Sequence, residues 1–324
     1  MPATVEIPLE KWAGAVRAVT LGATPAEGGT RSRTVTVGGE GTLPFLGFEG
    51  QAPHAPAIAI EVRDANPGEE WPEPLTKAWG AALNDPAAWA KAAEAAGADA
   101  IALRFGQTGA GGEKITGAEA RKAVRAVLDA TGLPLIVFGP GQAALDNEVL
   151  VAAAEEGAGE RLVLGACEDK NYRTIVATAM ANGHLVTAKS PMDVNLAKQL
   201  NILVHDMGLP MERIILDPTT GALGYGIEYG YSVMERLRLA ALQGDGMTQQ
   251  PMIVTPGEEA WRTKEARAAE GVPAAWGDWQ ARGVNWEAMT AAALIESGAD
   301  IVVMRHPEAV KRVKQMIAAL QRGA

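Results

Sequence analysis

Short apolar runs alternate with longer amphipathic segments along most of this 324-residue chain. Eight of these runs are rich in Ile, Leu, Val and Ala and are bounded by polar or glycine-containing segments, as is typical of buried parallel strands. They occupy residues 57–62, 100–105, 134–139, 161–166, 184–189, 213–218, 252–257 and 301–306. Amphipathic patterns predict helices between them at 85–96, 118–130, 149–156, 172–181, 194–207, 232–242 and 286–297, and a last helix at 307–320.

Eight successive strand–helix units predict an α/β fold, a (β/α)8 TIM barrel, over residues 57–324. Parallel strands need crossover helices, and right-handed crossovers close such a sheet on itself. A doubly wound open sheet is the alternative. It is disfavoured because no dinucleotide-binding glycine pattern follows the first strand.

Residues 1–56 lack this regular alternation and are interpreted as an N-terminal extension that caps the barrel. Within it, Val35 and Val37 alternate with threonines, which is typical of a β-strand. Three glycines follow closely, at Gly38, Gly39 and Gly41. The pattern predicts a β-hairpin that turns at these glycines.

In such a barrel, functional side chains belong where the strands end and the following loops begin. The loops after the first, sixth and seventh strands are long, covering residues 63–85, 217–231 and 256–285. Unusually long loops are commonly functional or interfacial. The stretch 213–231, RIILDPTTGALGYGIEYGY, runs from an apolar strand into an acid, two hydroxyls, four glycines and three tyrosines, so it is the leading candidate for a site.

Several side chains at predicted strand ends carry possible chemistry. Asp217 is either a general base or ring-binding carboxylate, or a turn residue beside Pro218. Lys189 is either a Schiff-base lysine or a partner in an ion pair. His306 ends the eighth strand and is either a site residue or a structural histidine. The threonines that follow Asp217 are ligand donors or local backbone caps.

Composition and charge narrow the class of function. The chain has 29 Lys and Arg against 39 Asp and Glu, a net charge of −10 without a basic block, which disfavours nucleic-acid binding. One cysteine, Cys167, cannot supply the thiolates of an iron–sulfur cluster. The four histidines show no metal-ligand spacing. The absence of a signal-peptide pattern and of a long apolar run predicts a cytoplasmic protein without a membrane partner.

Several long segments resemble one protein family. They are residues 22–39, 69–80, 83–99, 193–204 and 217–242, the last reading DPTTGALGYGIEYGYSVMERLRLAAL. In these segments the chain resembles the small subunit of the corrinoid iron–sulfur protein, and it is similar to the delta subunit of the archaeal acetyl-CoA decarbonylase/synthase complex. The resemblance spans essentially the whole chain.

The resemblance implies a TIM barrel that pairs with a large subunit as a heterodimer, with cobalamin between the two subunits. The [4Fe-4S] cluster would belong to the large subunit only. This heterodimer is the methyl carrier of the Wood–Ljungdahl pathway, and it takes methyl from methyltetrahydrofolate on a separate methyltransferase to acetyl-CoA synthase. The chain would then be a non-catalytic subunit of anaerobic carbon dioxide fixation. It lacks the DxHxxG cobalamin motif, so most corrin contacts would come from the large subunit.

We expect this chain to cover one face of the corrin with its strand-end loops. The residues expected to contact the cofactor are Thr219, Thr220, Gly221 and Tyr225, followed by Lys189, Ser190 and His306. Two enzyme hypotheses remain open beside this one. A pterin-dependent methyltransferase would use Asp217 to hold the pterin ring, and a lysine aldolase would use Lys189.

Overall fold

The computed structural model describes residues 8–109 and 111–323. The strands of this part are β1 Val19–Leu21, β2 Val35–Val37, β3 Ala57–Arg63, β4 Ala100–Arg104, β5 Leu135–Phe138, β6 Val163–Cys167, β7 Leu185–Lys189, β8 Ile214–Asp217, β9 Ile253–Val254 and β10 Ile301–Met304. The α-helices are α1 Glu73–Trp79, α2 Pro86–Ala95, α3 Gly117–Ala130, α4 Ala143–Glu156, α5 Tyr172–Asn182, α6 Val194–Asp206, α7 Ile227–Leu242, α8 Pro256–Ala260, α9 Lys264–Arg267, α10 Trp279–Glu296 and α11 Pro307–Gly323.

Strands β3 to β10 form one parallel sheet in the order β8-β7-β6-β5-β4-β3-β10-β9. The two ends of this sheet meet where Leu216 bridges Met252 in parallel and its N–H donates to the Pro251 carbonyl at 2.9 Å. The sheet is therefore a nearly closed eight-stranded barrel surrounded by helices. The eight predicted strands and the TIM-barrel fold are confirmed.

Side-chain alternation divides the apolar core into two parts. In β3, Ile58 and Ile60 face the helices, whereas Ala57 and Ala59 face the interior of the barrel. The interior is filled by the inward-facing residues of the other strands, including Ala100, Ala102, Ile136, Phe138, Val163, Leu185, Ile215, Ile253, Ile301 and Val303. The barrel is thus a packed core rather than a pore.

The extension contains an antiparallel strand pair, but its turn lies elsewhere than predicted. Val35–Val37 pairs with the upstream strand Val19–Leu21, so the connection is formed by residues 22–34. Gly38, Gly39 and Gly41 follow the second strand and do not form the hairpin turn, so that part of the prediction was wrong. Three closely spaced glycines are a local turn signal. The strand that pairs with Val35–Val37 instead lies earlier in the chain, at Val19–Leu21.

The strand pair closes the amino-terminal end of the barrel. Val19, Leu21 and Val37 pack into the interior core. Just after the first strand, the Gly22 N–H donates to the carbonyl of Arg161, which precedes β6. The boundary predicted at residues 56 and 57 stays a prediction, and residues 1–7, 110 and 324 of the two predicted units lie outside the described residues.

Three helices begin earlier than their patterns predicted. Helix α4 begins at Ala143, α7 at Ile227 and α10 at Trp279. For α10 the reason is an N-cap, since the Asp278 side chain accepts a hydrogen bond from the Ala281 N–H at 2.8 Å. Helix α7 begins directly after Gly226, whose φ of 91° is left-handed, and its glycine- and tyrosine-rich first turn resembles a loop in sequence.

Candidate functional site

The inward-facing positions of the strands change from apolar to charged residues at the carboxyl-terminal end of the barrel. In β4, Ala100 and Ala102 are followed by Arg104, and in β8, Ile215 is followed by Asp217. The same alternation brings Lys189 to the end of β7. Above this charged layer lies a cavity of about 1140 Å³. Its position is the one at which TIM barrels bind ligands.

The three long loops build one wall of this cavity. Arg267, in the loop after β9, donates from Nη1 to the carbonyl of Glu70, in the loop after β3, at 3.0 Å. The Lys264 N–H donates to the hydroxyl of Tyr225, in the loop after β8, at 3.4 Å. Because β8, β9, β10 and β3 are consecutive in the barrel, these loops join into a continuous rim. The loops after β5 and β6 on the other side are short.

A buried carboxylate organises the arginines of the charged layer. Glu61 is fully buried and accepts from Nη2 of Arg305 at 2.8 and 3.1 Å and from Nε of Arg104 at 3.3 Å. Nη1 of Arg63 lies 3.9 Å from its Oε1. Burial alone would raise the pKa of Glu61, but the positive charges of Arg305 and Arg104 outweigh it and hold that pKa below its usual range. Glu61 is therefore a fixed negative charge below the cavity.

Asp217 is a carboxylate of the cavity lining whose pKa is strongly raised. Only 5% of the residue is exposed, and burial raises its pKa to about 6. Lys189 and the Thr219 N–H, which donates to Oδ1 at 3.0 Å, oppose that shift. A carboxylate with a pKa near neutrality in a cavity is suited to exchange a proton or to accept from an N–H donor of a ligand.

Two further aspartates of the cavity are partly desolvated. Asp64 accepts from the Gly106 N–H at 2.9 Å, and Asp146 accepts from the Gly141 N–H at 2.8 Å. Burial raises the pKa of both carboxyls despite these hydrogen bonds. The second oxygen of Asp64, Oδ2, is buried and has no partner among the described residues. It is an acceptor available to a ligand.

Three of the residues predicted from sequence line the cavity: Lys189, Thr219 and Thr220. Thr219 has a left-handed backbone with φ 65°, and its hydroxyl donates to the Ser190 carbonyl at 2.6 Å. The Thr220 hydroxyl accepts from the Thr255 N–H at 2.8 Å. Both hydroxyls therefore bond backbone groups of neighbouring loops rather than their own, so the local-cap alternative does not describe them. Lys189 forms an ion pair with Glu168 at 3.6 Å.

Three other predicted residues lie beside the lining. Ser190 is buried, its N–H donates to the Asp217 carbonyl, and its hydroxyl has no partner among the described residues. Gly221 lies where its backbone closely approaches that of Gly226, since a Cβ at Gly221 would lie 2.4 Å from the Gly226 carbonyl oxygen. Tyr225 stands on the rim with 52% of its surface exposed.

His306 lies away from the cavity. It is buried, its ring stacks on Trp261 with centroids 5.9 Å apart, and its Nδ1 accepts from the Glu308 N–H at 3.1 Å in the first turn of α11. Burial lowers its pKa to about 4. Glu287, whose pKa burial raises to about 7, accepts from the N–H groups of His306 and Arg305 and from Trp261 Nε1. These contacts fit a structural histidine, which was the alternative to a site residue.

Sequence reasoning missed the arginines and Glu61 in the charged layer. They are Arg63, Arg104 and Arg305, and with Glu61 they occupy inward-facing positions in or directly after their strands. A signal was present, because each continues the two-residue period of the small or branched residues that fill the interior. A charge in phase with a buried strand face indicates a partner or a ligand.

Metal clusters and membrane-spanning helices are both absent from the described residues. No group of three or more His, Cys, Asp or Glu there is placed to hold a metal ion. None of the helices in residues 8–109 and 111–323 is long and apolar enough to cross a membrane.

Residues 18–320 match the family of CO dehydrogenase/acetyl-CoA synthase delta subunits. The acetyl-CoA decarbonylase/synthase complex subunit delta of Archaeoglobus fulgidus is 38% identical, covering 96% of this chain and 70% of the relative. The corresponding subunit of Methanopyrus kandleri is also 38% identical, covering 96% and 76%. The chain therefore belongs to this delta subunit family, a family of complex subunits, and the resemblance described above is confirmed.

Solved structures with a similar fold include dihydropteroate synthases. The enzyme of Xanthomonas albilineans with 4-aminobenzoic acid has a TM-score of 0.56 at 14% identity, covering 86% of this chain and 97% of the enzyme. The Thermus thermophilus enzyme in complex with 6HMPPP has a TM-score of 0.54 at 16% identity, covering 94% and 99%. At these identities the likeness shows a shared TIM barrel and nothing further.

Proposed function

We propose that this delta-family subunit pairs with a large corrinoid iron–sulfur subunit and covers one face of the cobalamin that the pair carries. In this role it belongs to the methyl carrier between methyltetrahydrofolate, held by a methyltransferase, and acetyl-CoA synthase in the Wood–Ljungdahl pathway. The observation that carries the proposal is the family match over residues 18–320, joined to a wide polar cavity at the carboxyl ends of the strands.

The cavity residues fit a corrinoid. A corrin ring is wide and carries carboxamide arms that both donate and accept hydrogen bonds, so it needs a broad opening with mixed polar groups. The cavity has a volume of about 1140 Å³ and a mixed polar lining, and the buried Oδ2 of Asp64 is an unused acceptor for an amide N–H. When bound, the corrinoid supplies the cobalt that carries the methyl group.

The chain's own residues would bind and orient the corrinoid and would exclude water from it. Thr219, Thr220 and Lys189 would contact the ligand from the lining, and Tyr225 would contact it from the rim. Gly221 lets the loop after β8 fold tightly enough to present them. The wall formed by the three long loops would shield that side of the cavity from water. Ser190 and His306, which lie outside the lining, would act through the loop and helix that they hold.

The iron–sulfur cluster is assigned to the large subunit. Cys167 is the only cysteine of the chain. It is buried at the end of β6, and burial raises the pKa of its thiol far above the ordinary value. A neutral buried thiol does not ligate iron.

Co-expression with the large subunit tests the proposal. The purified pair should retain corrinoid, read from its absorption spectrum after gel filtration. The double substitution Thr220→Ala and Tyr225→Ala should weaken retention by about tenfold or more, which corresponds to about 1.4 kcal/mol. Tyr231→Ala is the matched control, because Tyr231 is an exposed tyrosine of α7 outside the cavity lining. Equal retention by all three proteins would refute the assignment of these residues.

A pterin-dependent methyltransferase is the second candidate. It is favoured by Asp217, a desolvated carboxylate at a strand end beside Lys189 that could accept from the N–H groups of a pterin ring. Fold neighbours include dihydropteroate synthases solved with pterin compounds, such as 7,8-dihydropteroate in the Xanthomonas albilineans enzyme. The chain alone should bind methyltetrahydrofolate in calorimetry if it is this enzyme. It should require the large subunit to hold corrinoid if the first proposal is right.

A further inference from the structure

We propose that the floor of the cavity contains an oxyanion subsite between Arg63 and Arg104, which binds a carboxylate or phosphate group of a ligand. The two residues are aligned neighbours in the ladder between β3 and β4. The side-chain alternation of both strands turns them toward the interior of the barrel, and both line the cavity. This subsite does not depend on the corrinoid role.

The guanidinium of Arg104 is held rigidly. Its Nε donates to Glu61 at 3.3 Å, its Nη2 lies 3.1 Å from Oε2 of Glu258, and its Cζ lies 4.6 Å from the centre of the Phe138 ring. These contacts leave Nη1 without an acceptor in residues 8–109 and 111–323. An arginine held in place loses little conformational entropy when it binds an anion, which favours such a group as a recognition element.

The guanidinium of Arg63 is also only partly used. Its Nη2 donates to Glu70 at 3.1 Å, and its Nη1 is 3.9 Å from Glu61, beyond hydrogen-bond distance. Its Nε has no acceptor among the described residues. An oxyanion between the two side chains could therefore accept a charge-assisted hydrogen bond from each arginine, and such bonds are stronger than those between neutral groups.

Glu61 and Glu258 already occupy Nε and Nη2 of Arg104, and most other acidic residues of the cavity have partners elsewhere. Asp64 and Asp146 each accept a backbone N–H of a neighbouring loop. Glu119 accepts the Thr116 N–H at the start of α3, and Asp85 caps α2 in the same way. Glu168 faces Lys189. Although acids outnumber bases in the lining, N–H donors of both Arg63 and Arg104 stay unused at the floor.

Glu70 is the exception, and it provides the sharpest test. It is an exposed carboxylate, with 66% of its side chain accessible, that occupies Nη2 of Arg63. It resembles the proposed ligand group chemically and competes with it for the same donor. Removing its charge should therefore strengthen oxyanion binding, an effect that a merely structural ion pair would not produce.

The experiment is calorimetric titration of the whole chain with inorganic phosphate and, separately, with glutarate as a dicarboxylate. Glu70→Gln should tighten binding of the favoured anion by about threefold or more, and Arg63→Gln should weaken it by about tenfold. The matched controls are Glu69→Gln, an exposed neighbouring acid, and Lys122→Gln, a cation on the same cavity wall. Both controls should bind as the unaltered chain does.

The two anions separate the possible sources of the oxyanion. Tighter binding of phosphate with the expected pattern of variants assigns a phosphorylated ligand, and tighter binding of glutarate assigns a carboxylate. Binding of neither anion, or equal affinities for Arg63→Gln and Lys122→Gln, overturns the subsite. So does an unchanged affinity in Glu70→Gln, whose exposed position makes a folding defect no explanation. None of these outcomes bears on corrinoid retention by the subunit pair, so the two proposals fail separately.

Discussion

The two ends of this barrel differ in how completely their buried charged groups are hydrogen-bonded. At the amino-terminal end, Arg31 of the extension makes five hydrogen bonds, one to Glu160, one to Thr30 and three to backbone carbonyls. At the carboxyl-terminal end, Asp217 is as deeply buried but keeps a raised pKa, and Asp64 has an oxygen without a partner among the described residues. Satisfied charges stabilise a fold, whereas unsatisfied ones cost stability and persist where a ligand can complete them.

The amino-terminal end has its own exception, which helps to define the difference. Glu40 and Asp300 share the single guanidinium of Arg238. Burial and the charge of Asp300 raise the pKa of Glu40 to about 8. Here, however, both acids reach the same buried arginine, and neither lines the cavity at the carboxyl-terminal end. A raised pKa by itself therefore does not identify the functional end, and the accompanying cavity is needed.

The largest effect is expected at Arg31. Arg31→Met should lower the free energy of unfolding by about 3–5 kcal/mol, because it leaves Glu160 buried without its partner. Urea denaturation measures this loss. The control is Arg121→Met, since the pair of Arg121 with Glu155 is 42% and 48% exposed and should be worth less than about 1 kcal/mol. Similar losses in the two variants would contradict the structural role of the amino-terminal end.

A smaller loss of stability is expected when acid protonates His184, which also lies at the amino-terminal end. Its Nδ1 accepts from the Leu162 N–H, and burial lowers its pKa to about 4. The folded state thus favours the neutral ring, so the stability it contributes is complete above the unfolded pKa of about 6.5 and is lost as the pH falls from 6.5 toward 4. Between pH 8 and pH 5 the loss is on the order of 2 kcal/mol.

The variant His184→Gln isolates this contribution from other groups that titrate in the same range. It should lose less stability than the unaltered chain when urea unfolding is compared at pH 8 and pH 5. His205→Gln, at an exposed position of α6, should behave like the unaltered chain. If all three proteins lose the same amount, His184 does not carry the acid sensitivity.

The smallest effect on stability is expected at Asp217, and its dependence on pH is opposite to that of His184. Its pKa is raised to about 6, so its contribution is present below the unfolded value near 3.8 and is lost as the pH rises through 6. Asp217→Asn keeps an acceptor for the Thr219 N–H and removes the buried charge. It should stabilise the chain by about 1 kcal/mol more at pH 8 than at pH 5.

Asp169→Asn is the control for Asp217, because Asp169 is an exposed acid in the loop after β6. It should leave the difference in unfolding free energy between pH 8 and pH 5 unchanged. A gain at Asp217→Asn that does not vary with pH would mean that the carboxylate is not desolvated. The carboxyl-terminal end would then resemble the amino-terminal end.

The sequence was most informative where a pattern repeats. Eight apolar runs separated by amphipathic helices are enough to predict the barrel, because each strand obeys the same local rule. It also placed Lys189, Thr219 and Thr220 at strand ends, and these residues line the cavity. The turn predicted at Gly38 was wrong because a cluster of glycines is a local signal, whereas strand pairing is decided by distant residues.

Other features depend on contacts between segments far apart in the chain. Glu61 and Arg305 are separated by more than two hundred residues and meet only because the barrel closes. Asp217 ends β8 and lines the cavity, whereas His306 follows β10 by two residues, stacks on Trp261 and accepts a hydrogen bond from the first turn of α11. By itself, the sequence determined the barrel, the family and the end of the barrel at which the cavity opens. The tertiary structure alone decided which strand-end charges are neutralised by partners and which remain available, because desolvation and charge pairing depend on three-dimensional neighbours.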